Sequence, residues 1–100
     1  MIARIWHGVT QAVKADEYAE YLKKTGLSDY ENTPGNLGVH LMRRIEGDQA
    51  HFLFLTFWES EDAIRKFAGD EFGKARYYAE DSEFLLELEL FVKHYEVLNG

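Results

Sequence analysis

The chain has 100 residues, of which 46% are hydrophobic and 15% aromatic, enough apolar material for one core and too short a chain for two domains. Its formal charge of −7 and isoelectric point near 5.0 argue against nucleic acid or an anionic membrane as a partner, because both require a basic surface. The absence of cysteine excludes disulfides, thiolate metal sites and cysteine nucleophiles.

The start of the chain predicts a protein that is neither exported nor anchored. Met1–His7 lacks the basic start and the long apolar run of a signal peptide. No stretch reaches the ~20 apolar residues that span a bilayer. We therefore predict a soluble, unprocessed, cytoplasmic protein.

The first elements predicted are a strand and an amphipathic helix. Ile2–Gly8 alternates between two sets of side chains, as a short strand does. From about residue 14, apolar residues recur at intervals of three and four, namely Ala15, Tyr18, Ala19, Tyr21 and Leu22. Gly26 offers a C-terminal stop, whereas Leu27 and Tyr30 continue the spacing for one more turn, and the pattern leaves both ends open.

A turn and a hairpin follow. Thr33–Asn36 carries the strongest turn signal, because proline presets one dihedral angle and Gly35 accepts the positive φ that follows. Leu37–Ile45 then predicts a strand. The short polar turn Glu46–Asp48 leads directly into a second strand, Ala50–Trp58, so the two strands form a hairpin.

Both faces of the Ala50–Trp58 strand are apolar. One face carries Phe52, Phe54, Thr56 and Trp58, and the other carries His51, Leu53, Leu55 and Phe57. A chain of this length places its helices over one face of a sheet only. We therefore predict that a second copy of the chain covers the open face, and burial of roughly 800 Å² per partner would be ordinary for such a homodimer.

The last part of the chain predicts a helix, a short helical piece and a final strand. Ser60 is a natural N-cap, and Gly69 ends the helix that it begins. Asp70 predicts the start of the short helical piece. The alternation that begins in Leu86–Leu90 predicts the strand, and its phase shifts near Leu90, after which Phe91, Tyr95 and Val97 take the opposite parity. Either a bulge or burial on both sides in the second half would explain the shift.

The element order βαββαβ predicts an α+β fold of the ferredoxin-like type, an antiparallel sheet with helices on one face. We predict residues 1–100 to be a single domain of this fold. Nucleic-acid binding, another use of this topology, is excluded by the acidic charge and by the lack of a glycine-aromatic strand motif. Acylphosphatase-like chemistry is excluded because no glycine-rich anion cradle follows the first strand.

These elements resemble the antibiotic biosynthesis monooxygenase family of dimeric α/β barrels. The strand-to-helix join Phe57–Ala63, the Thr33–Gly35 entry to the second strand, and the element order carry the resemblance over nearly the whole chain. It implies a dimer that holds substrate between sheet and helices. Members that oxidise aromatic polyketides use no metal or flavin, so the resemblance implies a monooxygenase without a cofactor. The superfamily also contains heme-degrading oxygenases and isomerases.

The resemblance extends to single positions, with departures. Trp58 matches the tryptophan at the sheet edge that cofactor-free oxidases use, whereas Phe54 stands where a polar amide is expected. In the heme-degrading branch an asparagine, a tryptophan and a histidine define the site. The corresponding positions look like His7, Phe67 and Arg76. The resemblance therefore implies no proximal heme ligand, and we do not expect heme degradation.

The histidines suggest a base rather than a metal site. They lie on different predicted strands and are His7, His40, His51 and His94. No pair has the spacing of a metal motif, so no metal is predicted. His7 is the predicted catalytic base, which we expect to face the helices with Phe54 and to take a proton from a phenol or enol. A histidine that is hydrogen-bonded to a backbone or tyrosine partner is the alternative.

Aromatic and cationic side chains supply the predicted substrate-binding set, which consists of Tyr18, Tyr21, Phe54, Phe67, Arg76 and Tyr77. We predict that Arg76 pairs with an anionic substrate at the mouth of a cavity. Trp58 is predicted to be catalytic with His7. The alternative for Trp58 and for the tyrosines is packing, since a tryptophan suits a sheet-to-helix corner for burial alone.

The predicted function is that of a homodimer that binds a small, planar, aromatic ligand and oxidises a phenolic or polyketide-like substrate without a cofactor. One alternative is a non-catalytic ligand-binding or accessory dimer. Another is an isomerase or lyase that uses His7 as a base without oxygen. The volume of the space beside Trp58 separates the first hypothesis from the accessory dimer, because a closed space filled by side chains would leave only the accessory dimer.

Overall fold

Four strands form one antiparallel sheet in the computed structural model, which describes residues 1–100. The strands are β1 (Ile2–Gln11), β2 (Asn36–Glu46), β3 (Gln49–Trp58) and β4 (Lys93–Glu96). Their order across the sheet is β2-β3-β1-β4, and every neighbouring pair is antiparallel. The helices pack on one face, so the predicted ferredoxin-like α+β fold is confirmed.

The helices connect these strands. α1 (Ala15–Leu22) follows a 3₁₀ turn and continues through a π-helical turn (Lys23–Leu27) into α2 (Ser28–Glu31). α3 (Glu61–Ala68) follows β3, and α4 (Asp81–Phe84) precedes β4. The first helical run therefore continues past Gly26. The sequence allowed this helix to end either at Gly26 or one turn later, and the structure has the later end. None of the helices is both long and apolar enough to cross a bilayer.

Local signals fixed the turns and caps as predicted. Gly35 has a φ of 89° in the turn before β2, and Gly47 has a φ of 62° in the β2–β3 hairpin. The Ser60 hydroxyl accepts a hydrogen bond of 3.2 Å from the Ala63 amide, which makes it the N-cap of α3. Gly69 ends that helix with a φ of 84°.

The two faces of β3 have different environments. The set that includes Phe54 and Trp58 is buried against the helices, and the set that includes Leu53 and Phe57 is half-buried on the open face. The core against the helices contains Trp6, Ala15, Tyr18, Leu22, Tyr30, Ala50, Phe52, Phe54, Trp58, Ala63, Ile64, Phe67, Leu85 and Val92. The prediction that both faces of this strand are apolar and that helices cover only one of them is confirmed.

The predicted helical piece after Gly69 is absent. Its backbone is bonded to a distant segment instead. The Ala75 amide donates to the Leu90 carbonyl and the Val92 amide donates to the Gly73 carbonyl, both at 2.9 Å. The prediction of a helix there is wrong, because this long-range pairing uses the groups that a helix would bond internally.

The first half of the predicted last strand, Leu86–Leu90, is absent, and the strand begins only at Lys93, within the predicted second half. The Leu86 amide donates to the Val9 carbonyl at 2.9 Å, after which the chain leaves the edge of β1. The alternating leucines are exposed, Leu90 by 73%. The strand prediction is wrong for this first half, because these leucines do not pack on a sheet face as their alternation would require.

Candidate functional site

A narrow crevice lies between the sheet and the helices, where the sequence predicts a substrate cavity. Strands β1 and β3 form its floor, and α2, α3 and the segment after α3 form its walls. The side chains and backbone that line it belong to Trp6, Leu22, Gly26, Tyr30, Phe54, Phe67, Arg76, Tyr78 and Asp81. Three predicted substrate-binding residues, Phe54, Phe67 and Arg76, are therefore brought together here.

The crevice is almost filled by the protein itself. Its volume is about 10 Å³, whereas a single water molecule needs roughly 10–15 Å³. The ring of Tyr30 stacks on Phe67 with 4.2 Å between centroids and packs against Phe54 at 5.0 Å. The aromatic walls stand at the predicted place, but the side chains occupy the space between them.

Arg76 holds the polar end of the crevice. Its guanidinium donates to the Phe67 carbonyl at 3.0 Å and to an Asp29 carboxylate oxygen at 3.4 Å, and it lies 4.8 Å from the centre of the Phe67 ring. The Tyr78 hydroxyl donates to the same Asp29 oxygen. Burial and this hydrogen bond raise the pKa of Tyr78, so it remains a neutral donor. Arg76 is 40% exposed and accessible from solvent.

Asp81 is the carboxylate that borders the crevice. It is buried, and it accepts hydrogen bonds from the Tyr18 hydroxyl at 2.8 Å and from the Tyr78 amide at 2.6 Å. Burial, and then the Asp81 charge, raise the pKa of Tyr18. Tyr18, a predicted substrate-binding residue, therefore positions Asp81 and does not line the crevice itself.

Arg4 lies beneath the crevice as a buried cation without a carboxylate partner. Its guanidinium donates to the Tyr30 hydroxyl at 2.8 Å and lies 5.4 Å from the centre of the Phe67 ring, while its Nε has no partner. Burial lowers the pKa of Arg4 and raises the pKa of Tyr30. A phenol and aromatic rings, rather than an acid, therefore surround this charge.

Trp58 lies deeper than the crevice and does not line it. It is completely buried, and its indole Nε1 donates to the Thr56 hydroxyl at 2.8 Å. Its ring packs 5.9 Å from Phe67 and 6.2 Å from Tyr30. This position anchors the corner between β3 and α3, and a catalytic role for Trp58 stays a prediction.

The remaining predicted tyrosines lie outside the crevice. Tyr21 is on the outer side of α1, where its hydroxyl accepts from the Glu80 amide at 3.0 Å. The edge of the Tyr77 ring packs on Trp6 at 6.2 Å, and its hydroxyl donates to the Glu89 carbonyl at 2.5 Å. Burial and the Glu89 charge raise the pKa of Tyr77 to about 12.

His7 lies on the open face, so the prediction that it faces the helices is wrong. In the register of β1 and β3, His7 is opposite Leu53 and Trp6 is opposite Phe54. Directly opposed residues of an antiparallel pair point to the same face. Trp6 therefore faces the crevice and His7 faces away from it. Both sets of side chains on β1 contain apolar residues, so alternation alone did not decide between them.

His7 belongs instead to three hydrogen-bonded side chains on the open face, the Glu89–His7–His51 network. Its Nδ1 is 2.5 Å from a Glu89 carboxylate oxygen, and its Nε2 is 3.0 Å from Nδ1 of His51. The two imidazole rings are stacked, with 5.3 Å between centroids. Open hollows of about 310 and 320 Å³ lie on either side of His7. No group of three or more histidine, aspartate or glutamate side chains in the chain has the arrangement of a metal site.

Several residues of the crevice escaped the sequence analysis. Arg4 and Trp6 share a parity on β1, and that shared parity was the available signal for their common face. Tyr30 continued the helical spacing beyond Gly26, which was the signal for its inward position. Asp81 gave no signal, because its side-chain partner Tyr18 is 63 residues away in the sequence.

Comparison with known proteins gives a family match over most of the chain. The profile of the family described as "Antibiotic biosynthesis monooxygenase" matches residues 9–76. A heme oxygenase (mycobilin-producing) of Mycobacterium tuberculosis, strain CDC 1551, is 42% identical over 38 residues, which are 38% of this chain and 35% of that protein. The match therefore spans about a third of this curated relative.

Solved structures resemble the chain over its whole length. The heme-degrader MhuD of Mycobacterium tuberculosis, solved with two hemes in its active site, has a TM-score of 0.62 and 21% identity, over 100% of this chain and 98% of that one. A putative antibiotic biosynthesis monooxygenase of Bacillus cereus has a TM-score of 0.65 and 13% identity, over 99% and 94%. At these identities the likeness establishes the fold.

Proposed function

The chain belongs to the antibiotic biosynthesis monooxygenase family, and on that premise we propose that it binds a small, planar, aromatic molecule between the sheet and the helices and oxidises it with molecular oxygen. The observation that carries the proposal is the convergence of Arg76, Tyr78 and Asp81 at one end of an aromatic crevice. Residues 1–100 act in this proposal as one domain.

Entry of a ligand requires the crevice to widen from its volume of about 10 Å³. The wall formed by Arg76 and Tyr78 is the part suited to move, because it is irregular backbone. The Asp29 carboxylate accepts from both side chains, and the Phe67 carbonyl accepts from Arg76 as well. A ligand with a carboxylate or phenolate would replace Asp29 as the partner of Arg76. Aromatic walls then stack on its ring.

The proposed reaction needs no cofactor. A methylene carbon between hydroxylated rings loses two hydrogens and becomes a carbonyl, one oxygen atom of O₂ enters that carbonyl, and the other leaves as water. The substrate supplies all four electrons. A proton must first leave the substrate, and Asp81 is the one carboxylate lining the crevice that is placed to accept it. His7, on the opposite face, is not placed for that step, which also weakens the alternative of a His7-dependent isomerase or lyase.

Heme, which the relatives' names mention, does not fit this crevice. No histidine, cysteine or methionine lines it. Tyr30 is held by Arg4, and burial raises the pKa of its phenol above the ordinary value, which disfavours the phenolate that would bind iron. We therefore derive no step through heme.

A non-catalytic ligand-binding or accessory protein is the second candidate. The observation that favours it is the volume of about 10 Å³, which is the filled space that the sequence-based hypotheses assign to this candidate. A space filled by Tyr30, Phe54 and Phe67 has no room for a substrate, so the monooxygenase requires the walls to separate. Binding without oxygen consumption is the result that this candidate predicts.

In either case we propose a homodimer that forms through the open face of the sheet. That face carries half-buried apolar side chains from both central strands, including Ile5, Leu53 and Leu55. At its margin Phe91 is 66% exposed and Tyr95 is 51% exposed. A second copy would remove this apolar surface from water.

Oxygen consumption and equilibrium binding with a panel of dihydroxyaromatic compounds test the proposed function. Wild type is compared with Arg76→Ala and with Arg65→Ala, a control arginine of matching exposure, 39% against 40%, that does not line the crevice. Consumption that is lost only in Arg76→Ala supports the monooxygenase. Binding without consumption supports the accessory protein, and no binding of any compound contradicts both. A parallel titration with hemin should give no Soret shift that depends on Arg76.

A further inference from the structure

The open face carries three ionisable groups joined by hydrogen bonds, the Glu89–His7–His51 network. Glu89, His7 and His51 are joined at 2.5 Å and 3.0 Å, and the histidines come from the two central strands. The groups sit among apolar side chains that we assign to the interface between two copies. Their state of protonation therefore sets the charge that the interface would have to bury.

The chemistry of the three side chains decides which donates and which accepts each hydrogen bond of the network. An ionised carboxylate only accepts hydrogen bonds, so His7 donates to Glu89 from Nδ1. The Nε2 of neutral His7 then carries a lone pair and accepts from Nδ1–H of His51. One further proton makes the histidine pair cationic and balances Glu89. Two further protons would set two N–H groups against each other at 3.0 Å.

The Glu89–His7–His51 network therefore has three charge states. With neutral histidines it carries the single negative charge of Glu89, with one extra proton it is neutral, and with two it is positive. Burial of a charge without a partner is unfavourable. The neutral state is thus the one that an interface accepts most readily.

Two exposed cations share this face with the network. From β2, Arg44 lies opposite His51 and is paired with Glu46 at 3.1 Å. From β4, Lys93 lies opposite Ile5 and lines the same hollow as Glu89. Both side chains are exposed and long enough to keep their charge in water. His40, on β2 opposite Leu55, also lies on the open face but is not part of the network. On β1 and β3 the neighbours of His7 and His51 are uncharged, namely Ile5, Val9, Gln49, Leu53 and Leu55.

We propose that two copies of the protein associate through the open face with an affinity that depends on pH, and that the Glu89–His7–His51 network sets this dependence. The inference rests on the homodimer proposed above. Three strands of ten or eleven residues and a fourth of four residues, about 4.8 Å apart, give the face an area on the order of 500 Å². A stable interface buries roughly 800 Å² per partner, and the exposed Phe91 and Tyr95 extend the face toward that value.

Sedimentation velocity between about pH 5 and pH 9 tests the proposal. For the full chain we expect dimer affinity to be highest at intermediate pH and to fall about tenfold or more toward both ends, because an unbalanced charge at an interface costs more than about 1.4 kcal/mol. Glu89→Gln removes the negative charge, so its affinity should rise with pH and not fall again. His51→Gln should lose most of the decline at acid pH.

His40→Gln is the matched control, since it removes a histidine from the same face outside the network. It should keep the decline in affinity toward alkaline pH that Glu89→Gln loses, and most of the decline at acid pH that His51→Gln loses. Far-UV circular dichroism of each variant checks that it is folded. A dimer affinity that is the same at every pH, or a pH profile that is unchanged in Glu89→Gln and His51→Gln, overturns the role of the network but not the dimer itself. A monomer at every pH and at high concentration overturns the dimer as well.

Discussion

Gly26 lies against the ring of Phe54, and a Cβ added at residue 26 would come within 3.0 Å of Phe54 Cε2. Glycine lets the π-helical turn approach the sheet this closely, because it has no side chain. The contact closes one wall of the crevice. The size of the side chain at position 54 therefore controls whether the crevice is filled.

Replacing Phe54 with alanine should open the crevice to a small aromatic molecule. We expect a loss of about 3–5 kcal/mol in the free energy of unfolding, because the ring is buried. Benzene or indole should restore part of it by binding the new cavity, which thermal unfolding with and without ligand measures. Val13→Ala, at a side chain that is 90% exposed, should respond to neither change. Melting of Phe54→Ala that is indifferent to benzene and indole would show that the space collapses.

Gly35 and Gly47 separate backbone strain from steric overlap. Both have positive φ, 89° and 62°, but a Cβ at Gly35 would lie 2.4 Å from the Cβ of Ala63, whereas a Cβ at Gly47 meets nothing within 4 Å. Gly47→Ala should cost about 1–2 kcal/mol, the strain of a left-handed alanine. Gly35→Ala should cost clearly more, since β2 and α3 must also move apart. Urea unfolding measures both, and equal losses would contradict the overlap.

Arg4 and Tyr30 should show strong coupling in a double-mutant cycle. Tyr30→Phe removes the hydroxyl that accepts from the buried Arg4 guanidinium, which should cost about 1.5–3 kcal/mol. Replacing both residues, in Arg4→Met with Tyr30→Phe, removes the buried cation together with its partner and should cost less than the two single losses combined. Chemical denaturation gives the four free energies. Simple additivity would mean that the hydrogen bond contributes nothing.

His94 should make the fold sensitive to acid. Burial, and then the charge of Arg4 across the β1–β4 pair, lower the pKa of His94 below its ordinary value of 6.5. As the pH falls through 6.5, His94 therefore takes up a proton in the unfolded protein but stays neutral in the folded protein. Stability from this group is complete above pH 6.5 and declines as the pH falls from there toward the folded pKa.

Unfolding free energies at several pH values between about 4.5 and 8 measure this decline at a low protein concentration. His94→Gln should flatten the slope below pH 6.5, because glutamine takes up no proton. His40→Gln, on the open face, should keep the wild-type slope. The same slope in His94→Gln and wild type would assign the acid sensitivity to other groups.

Local sequence determined the parts of the fold that need only a few neighbouring residues. Proline and glycine at 34 and 35 set the turn into β2, Gly47 sets the hairpin, and Ser60 with Gly69 sets the ends of α3. Each signal acts through the dihedral angles or hydrogen bonds of its own segment. The apolar residues on both sides of β3 likewise predicted that helices cover one face and leave the other open.

Tertiary structure alone decided which side of β1 faces the helices, what fills the crevice and where the last strand lies. Alternation defines two faces of a strand but does not say which is inward, and the register with β3 turned Trp6 inward and His7 outward. The crevice is closed because Tyr30 and Phe67, which are far apart in the sequence, stack at 4.2 Å. Leu86–Leu90 alternates as a strand would, yet its neighbours bond to the segment after Gly69, and no local pattern records so distant a partner.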